Sequence, residues 1–336
     1  MSGVKCINKF GKRALALAIS MTVLLTFSGC GTLKYSQPYS ASGENSSYDV
    51  LFYQSADKAA SFASDLCVID ATSVGKVDLQ VPDNTTAAVL FDLGKEEVIY
   101  AKNAHQTLYP ASITKLMTAL VAVKNAPLDT VLTATENVYV TESGAQIMNL
   151  KAGDRMTLDQ ALRILLLYSA NDVSNLIAEN LGGSIENFVE MMNAEAHRIG
   201  ATRTHFANPN GLTDPDHYTT AYDLYLIFRE ALKYDTILEI ISQAAYETVY
   251  YDKDGKEKTI SVKNTNGYVN GSYSAPGSVT VIGGKTGTTQ AAGHCLILYS
   301  KDRNSNSYIS VILQSETNDD LVANMNLMLE HAGLGE

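Results

Sequence analysis

Three short segments carry the residue types that could do chemistry: Ser112-Ile-Thr-Lys115, Ser169-Ala-Asn171 and Lys285-Thr-Gly287, in that order. Together they supply a hydroxyl nucleophile, an amine base, a second hydroxyl to carry a proton, and a cation to hold a carboxylate. Such a set serves an active-site serine that needs neither histidine nor metal.

Ser112 and Lys115 follow Tyr109-Pro110-Ala111 and precede an apolar run from Leu116 to Val123. Pro110 predicts a helix start. Spacing i, i+3 puts the serine and lysine on one face, with Ser112 in the first turn, where unpaired backbone N–H groups favour developing negative charge. A lysine in so apolar a helix should be at least partly buried, and desolvation then lowers its pKa towards that of a usable base. The competing reading is a lysine whose ammonium reaches solvent, leaving Ser112 as a plain helix-start residue.

Ser169 and Asn171 fall between two helices. Thr157 and Gln160 form a capping box before Leu158, Ala161, Leu162, Leu165 and Leu166, and a second helix carrying Val173, Leu176, Ile177 and Leu181 stops at Gly182-Gly183. Side chains in such a connection can point into a cleft, although the same run also reads as a helix cap. Lys285-Thr286-Gly287 lies in a β-type run from Ser278 to Thr289, with glycines on both sides of the lysine. Glycine there marks close backbone approach, and an edge-strand lysine guarding against aggregation is the alternative.

In this order and with these separations the motifs resemble the penicilloyl-serine transferases, and more narrowly the low-molecular-mass penicillin-binding proteins of the D-alanyl-D-alanine carboxypeptidase family. The resemblance runs from about Ala87 to Asn326 and includes Pro110 to Thr118, Ser169 to Asp172, Phe206 to Leu212, His217 to Asp223 and Gly284 to Thr289. It implies that Ser112 attacks the carbonyl between two terminal D-alanines of a peptidoglycan stem peptide, with Lys115 as base and Ser169 relaying a proton to the leaving amine. Asn171 would hold substrate or orient Lys115. Lys285, with Thr286 and Thr288, would bind the terminal carboxylate, Gly287 would let the strand approach, and the N–H groups of Ser112 and Thr288 would form the oxyanion hole. The residue after Lys-Thr-Gly is often histidine in this family and is Thr288 here, which bears on substrate preference.

The resemblance also implies covalent inhibition by β-lactams and no cofactor. A β-lactamase is the nearest competitor, but no glutamate stands in a Glu-x-x-x-Asn context between Asn171 and Lys285. An endopeptidase acting on cross-links shares the same motifs. A non-catalytic penicillin-binding sensor would show a damaged motif, and none is damaged.

Lys5, Lys9, Lys12 and Arg13 precede an apolar run from Ala14 to Phe27, which reads as an export signal. Phe27-Ser-Gly-Cys30 resembles a lipobox with phenylalanine in place of leucine, so residues 1–29 are expected to be removed and Cys30 lipidated, tethering the enzyme to the outer face of a bacterial membrane. Losing residues 1–29, with four positive charges and no acidic one, takes the net charge from −11 to −15. Nucleic acid is thereby disfavoured as a partner. Residues 30–55 read as a tether and 56–336 as the catalytic domain. Cys67 and Cys295 either pair or remain buried thiols. His197, His205, His217 and His294 lack metal-ligand spacing and are assigned structural or surface roles, with His217 a weak candidate for a substrate-side contact.

The elements that must position these residues are legible too. Strands are expected at Ala87 to Leu93, Glu97 to Ala101, Thr248 to Asp252, Thr259 to Lys263, Val279 to Gly283, Cys295 to Ser300 and Tyr308 to Gln314, with hairpin turns at Asp252 to Gly255 and Arg303 to Asn306. The middle reads as helical, including a helix capped by Thr220 and Asp223. The result is an α+β fold, an antiparallel sheet flanked by helices with an all-helical lobe and a site at their junction; the resemblance implies the same fold, β-lactamase/transpeptidase-like with a five-stranded sheet. Leu321 to His331 reads as the closing helix. The short stretch after Gly287 leaves no room for both a further β-domain and an amphipathic anchor, so the lipid is expected to replace the anchor.

Overall fold

The computed structural model describes residues 66–69 and 77–332. The expected signal (1–29), Cys30 and the tether (30–55) lie outside the described residues.

The main sheet joins β1 (Thr85–Asp92), β2 (Glu97–Lys102), β7 (Val279–Thr289), β8 (Gly293–Asp302) and β9 (Ser307–Ser315). Its order is β2-β1-β9-β8-β7 and every pairing is antiparallel. Its strands are apolar on both faces because both faces are covered. Ala87, Val89 and Phe91 enter one core with Ile309 and Val311, whereas Ala88 and Leu90 enter a second with Leu296, Leu298 and Ile312. The period of two thus assigns alternate residues to opposite cores. Leu321, Met325, Met328 and Leu329 of the last helix, Asn318–His331, close the second core.

The first core belongs to the helical side. Here α1 (Lys115–Asn125) is buried along Lys115 to Ala122 and packs against α3 (Asn171–Gly182), α4 (Ile185–Arg198) and α5 (Ala221–Ala231). A helix covered all round belongs in the middle of a domain. The expected caps form. Thr157 and Gln160 make the reciprocal box before α2 (Leu158–Arg163), Gly183 ends α3 in the left-handed conformation, and Thr220 accepts from the Asp223 N–H ahead of α5.

The lobe differs from the expectation in not being all helical. The hairpin of β5 (Ala245–Tyr251) and β6 (Glu257–Lys263) stands apart from the main sheet and pairs with β4 (Arg155–Thr157) and β3 (Val131–Thr133) in the order β3-β4-β5-β6. Three-residue strands are too short to show an alternating pattern, so β3 and β4 left no signal in the sequence. The Asp252 to Gly255 turn closes the hairpin, with the Asp252 carboxylate accepting from the N–H groups of Asp254 and Lys256. Cys67 and Cys295 are free and buried, and burial pushes their thiols up to about 11 and about 12. The two thiols stand apart as separate buried groups rather than as a disulfide.

Candidate active site

Ser112 sits in a 3₁₀ turn, Ala111–Thr114, that leads directly into α1. The helix start expected at Pro110 is therefore a tighter turn, and Ala111 takes φ +47°, a left-handed conformation unusual for alanine. Two close approaches hold this turn. A Cβ on Gly287 would lie 2.9 Å from Pro110 O and 3.1 Å from the Ser112 nitrogen, and one on Gly211 would lie 1.9 Å from Ala111 O. Only glycine at both places lets β7 and the 208–212 loop press against the serine from either side.

Lys115 is fully buried, and its Nζ lies 2.9 Å from Ser112 Oγ, 2.7 Å from Asn171 Oδ1 and 2.5 Å from the Asn210 carbonyl oxygen. Burial drives its pKa well below the usual lysine value. The Lys285 charge adds to that, and the Asp172 carboxylate opposes it. The ammonium does not reach solvent.

Ser169 follows a π-helical turn, Ile164–Tyr168, and takes φ +70°. The widened turn, closed by Ser169 N–H to Ile164 O at 3.2 Å, swings the serine out of the helical path, as such turns do at functional sites. Its Oγ accepts from Lys285 Nζ at 3.0 Å. Lys285 lies within β7, which runs on through Thr289 rather than ending at Gly283. It too is buried, and burial alone lowers its pKa to about 7.

The cleft in front of these groups holds about 500 Å³ and is lined by Ser112, Ser169, Asn171, Thr286, Gly287 and Thr288, among others. Lys115 and Lys285 are not among its wall residues; both stand behind the serines they touch. Thr286 Oγ1 pairs with Thr265 Oγ1 at 2.7 Å, and Thr288 is exposed to the cleft. Among the described residues no group of histidine, cysteine and carboxylate side chains could hold a metal. His217 is buried and takes no part in the cleft wall.

Three contributors carried no assigned role in the sequence reading. Asn210 presents its carbonyl to Lys115 because its loop is internally braced: Asn208 Oδ1 accepts from Gly211 N–H, Asn210 Nδ2 donates to Asn175 Oδ1, and Thr118 Oγ1 donates to Pro209 O. Asp172, beside Asn171, accepts from the N–H groups of Met148, Leu150 and Val173 and so fixes the segment that brings Glu142 to Gln146 to the cleft. Thr265 is the third. The Asn-Pro-Asn-Gly turn was visible in sequence, but a backbone carbonyl as a lysine's partner has no residue-type signature.

The family model described as D-alanyl-D-alanine carboxypeptidase matches residues 76–317. D-alanyl-D-alanine carboxypeptidase DacF of Bacillus subtilis (strain 168) is 33% identical over 262 residues, covering 77% of this chain and 64% of its own length. A D-alanyl-D-alanine endopeptidase of Pseudomonas aeruginosa is 30% identical over 213 residues, 63% of this chain and 66% of that protein. The crystal structure of the Streptomyces K15 DD-transpeptidase superposes with a TM-score of 0.68 at 28% identity, covering 74% of this chain and 96% of that one. The chain thus spans less than two thirds of DacF and nearly all of the K15 structure. With the match extending over most of its length, the chain belongs to the D-alanyl-D-alanine carboxypeptidase family.

Proposed function

We propose that the chain removes the terminal D-alanine from peptidoglycan stem peptides through an acyl-serine intermediate, with Ser112 as nucleophile. The observation that carries this is the buried Lys115 amine, 2.9 Å from Ser112 Oγ. A neutral amine has two N–H bonds and one lone pair. Asn171 Oδ1 and the Asn210 carbonyl take the two N–H bonds, which turns the lone pair to the Ser112 hydroxyl.

Ser112 Oγ then attacks the carbonyl of the penultimate D-alanine as its proton moves to Lys115. The oxyanion is held by the N–H groups of Ser112 and Thr288. As the C–N bond breaks, Ser169 gives its hydroxyl proton to the departing amine and recovers one from Lys285, 3.0 Å away. Water attacks the ester; its proton returns through Ser169 to Lys285, while Lys115 reprotonates Ser112. The hydroxyls of Thr286 and Thr288 hold the terminal carboxylate, with the Lys285 charge behind them. Because β7 is a terminal strand of its sheet, an extended peptide can lie along its free edge.

A β-lactam would acylate Ser112 in the same way, but its ring nitrogen stays tethered and blocks water. Glu142 is the one carboxylate among the described residues lining the cleft, and it is exposed, a poor environment for a deacylating base. A long-lived adduct is therefore expected. The named endopeptidase relative supports a second reading, cleavage of cross-links between stem peptides.

The domain organisation belongs to the same proposal: a signal over 1–29, lipidation of Cys30, a tether to residue 55 and the catalytic domain beyond, acting at the outer face of the membrane. The motif Phe27-Ser-Gly-Cys30 supports it, and no helix among the described residues is long and apolar enough to cross a membrane. Release of D-alanine from a pentapeptide ending in D-Ala-D-Ala, abolished by Ser112→Ala and by penicillin, tests the activity. Absence of release while cross-linked dimers are cleaved would move the assignment to the endopeptidase.

A further inference from the structure

A buried chain of hydrogen bonds runs from the 205–217 loop to the peptide unit beside the nucleophile. The Ala207 N–H donates to His217 Nδ1 at 3.1 Å, His217 Nε2 lies 2.8 Å from Thr114 Oγ1, and Thr114 Oγ1 donates to the Ala111 carbonyl at 2.8 Å. The first donor fixes every later role. Nδ1 accepts, so the neutral ring carries its proton on Nε2 and donates to Thr114. The threonine proton is then free for the carbonyl alone. His217 and Thr114 are each 1% exposed, and burial holds the imidazole neutral.

Ala111 C=O and Ser112 N–H belong to one planar trans peptide, so they point in opposite directions. Whatever aims the carbonyl aims the N–H. Ala111 opens its 3₁₀ turn at φ +47°, outside the helical region, so no continuous helix leads into this peptide from the N-terminal side, and the Thr114 hydroxyl adds a side-chain partner to its carbonyl. The close approach of Gly211 to Ala111 O confines the carbonyl from the other side.

We infer that His217 and Thr114 are positioning residues that fix the direction of the Ser112 N–H and so set one half of the oxyanion hole. This inference rests on the acyl-serine reading above. Neither side chain touches substrate. Their effect is on the acylation step, through a donor whose outright removal in such sites costs about 10²–10³ in rate.

The test uses the full chain and measures acylation by a fluorescent penicillin at saturation, with KM and kcat for D-alanine release. Wild type that neither acylates nor releases D-alanine would overturn the function itself; the positioning role is read only against an active wild type. Thr114→Val, which keeps shape and loses the hydroxyl, is expected to lower kcat and the acylation rate by about tenfold to a hundredfold with KM unchanged. Thr114→Ser is expected to restore most of both. Equal rates in Thr114→Val and wild type, or equal losses in the valine and serine variants, would overturn the role. Should Thr114→Val fail to fold, the histidine decides. His217→Gln offers a donor where Nε2 stood, and His217→Asn offers only the acceptor that stood at Nδ1. Glutamine is expected to acylate faster than asparagine, and the reverse order or equal rates would overturn the inference.

Discussion

Lys285 Nζ lies 3.0 Å from Ser169 Oγ while Lys115 Nζ lies 2.9 Å from Ser112 Oγ, so each buried lysine of the site serves its own serine. The pairing divides the labour. In the proposed mechanism one amine takes a proton from Ser112, and the other supplies one to the leaving group through the Ser169 hydroxyl.

The depressed pKa of Lys285 makes stability depend on pH in a definite direction. Burial lowers the folded value to about 7 against the ordinary 10.5. Between those values the unfolded chain binds more protons than the folded one, so stability rises as pH increases across that window and is lost as pH falls through about 7. Replacing the lysine by methionine removes that term, on the order of a few kcal/mol. Thermal melts of wild type and Lys285→Met from pH 6.5 to 10 are expected to diverge, wild type gaining relative to the variant as pH rises. Parallel curves would show that Lys285 is not desolvated. The same variant should lose about 10² or more in kcat/KM.

Asn171 Oδ1, 2.7 Å from Lys115 Nζ, contributes a neutral acceptor where a charge would be harmful. Asn171→Asp places a carboxylate against the amine, favours the ammonium and raises the Lys115 pKa. Since the base must be neutral to take the Ser112 proton, the rising limb of kcat/KM against pH is expected to move to higher pH. Activity at pH 7 should drop by at least about tenfold. A profile lowered uniformly without displacement would count against Lys115 as the base.

The three motifs were legible because each joins a chemically distinctive residue to a local signal: Pro110 before Ser112, a capped helix and a Gly-Gly stop on either side of Ser169, and glycines around Lys285. The five strands of the main sheet were legible because long apolar runs between turns leave a strong pattern. What the sequence hid depends on chain crossings far apart in number. Asn210 reaches Lys115 across a separation of 95 residues and His217 reaches Thr114 across 103. The four-stranded sheet was hidden by the brevity of β3 and β4, and the π-helical turn before Ser169 by having no composition of its own.

The tightest constraint on the nucleophile is steric. Gly211 has φ +86°, and a Cβ there would stand 1.9 Å from Ala111 O, an atom of the peptide that carries the Ser112 N–H. Gly211→Ala must therefore either displace that peptide or withdraw the 208–212 loop and with it the Asn210 carbonyl from Lys115. Both routes disarm the serine. The variant is expected to lose about 2 kcal/mol or more of stability and more than tenfold in penicillin acylation rate. Gly255→Ala separates strain from contact, since Gly255 also has positive φ, +78°, but faces open space in the β5–β6 turn. It carries the backbone strain without the collision, so its melting temperature should fall while its acylation rate matches wild type. If Gly211→Ala acylates as fast as Gly255→Ala, the loop does not hold the serine's peptide in place.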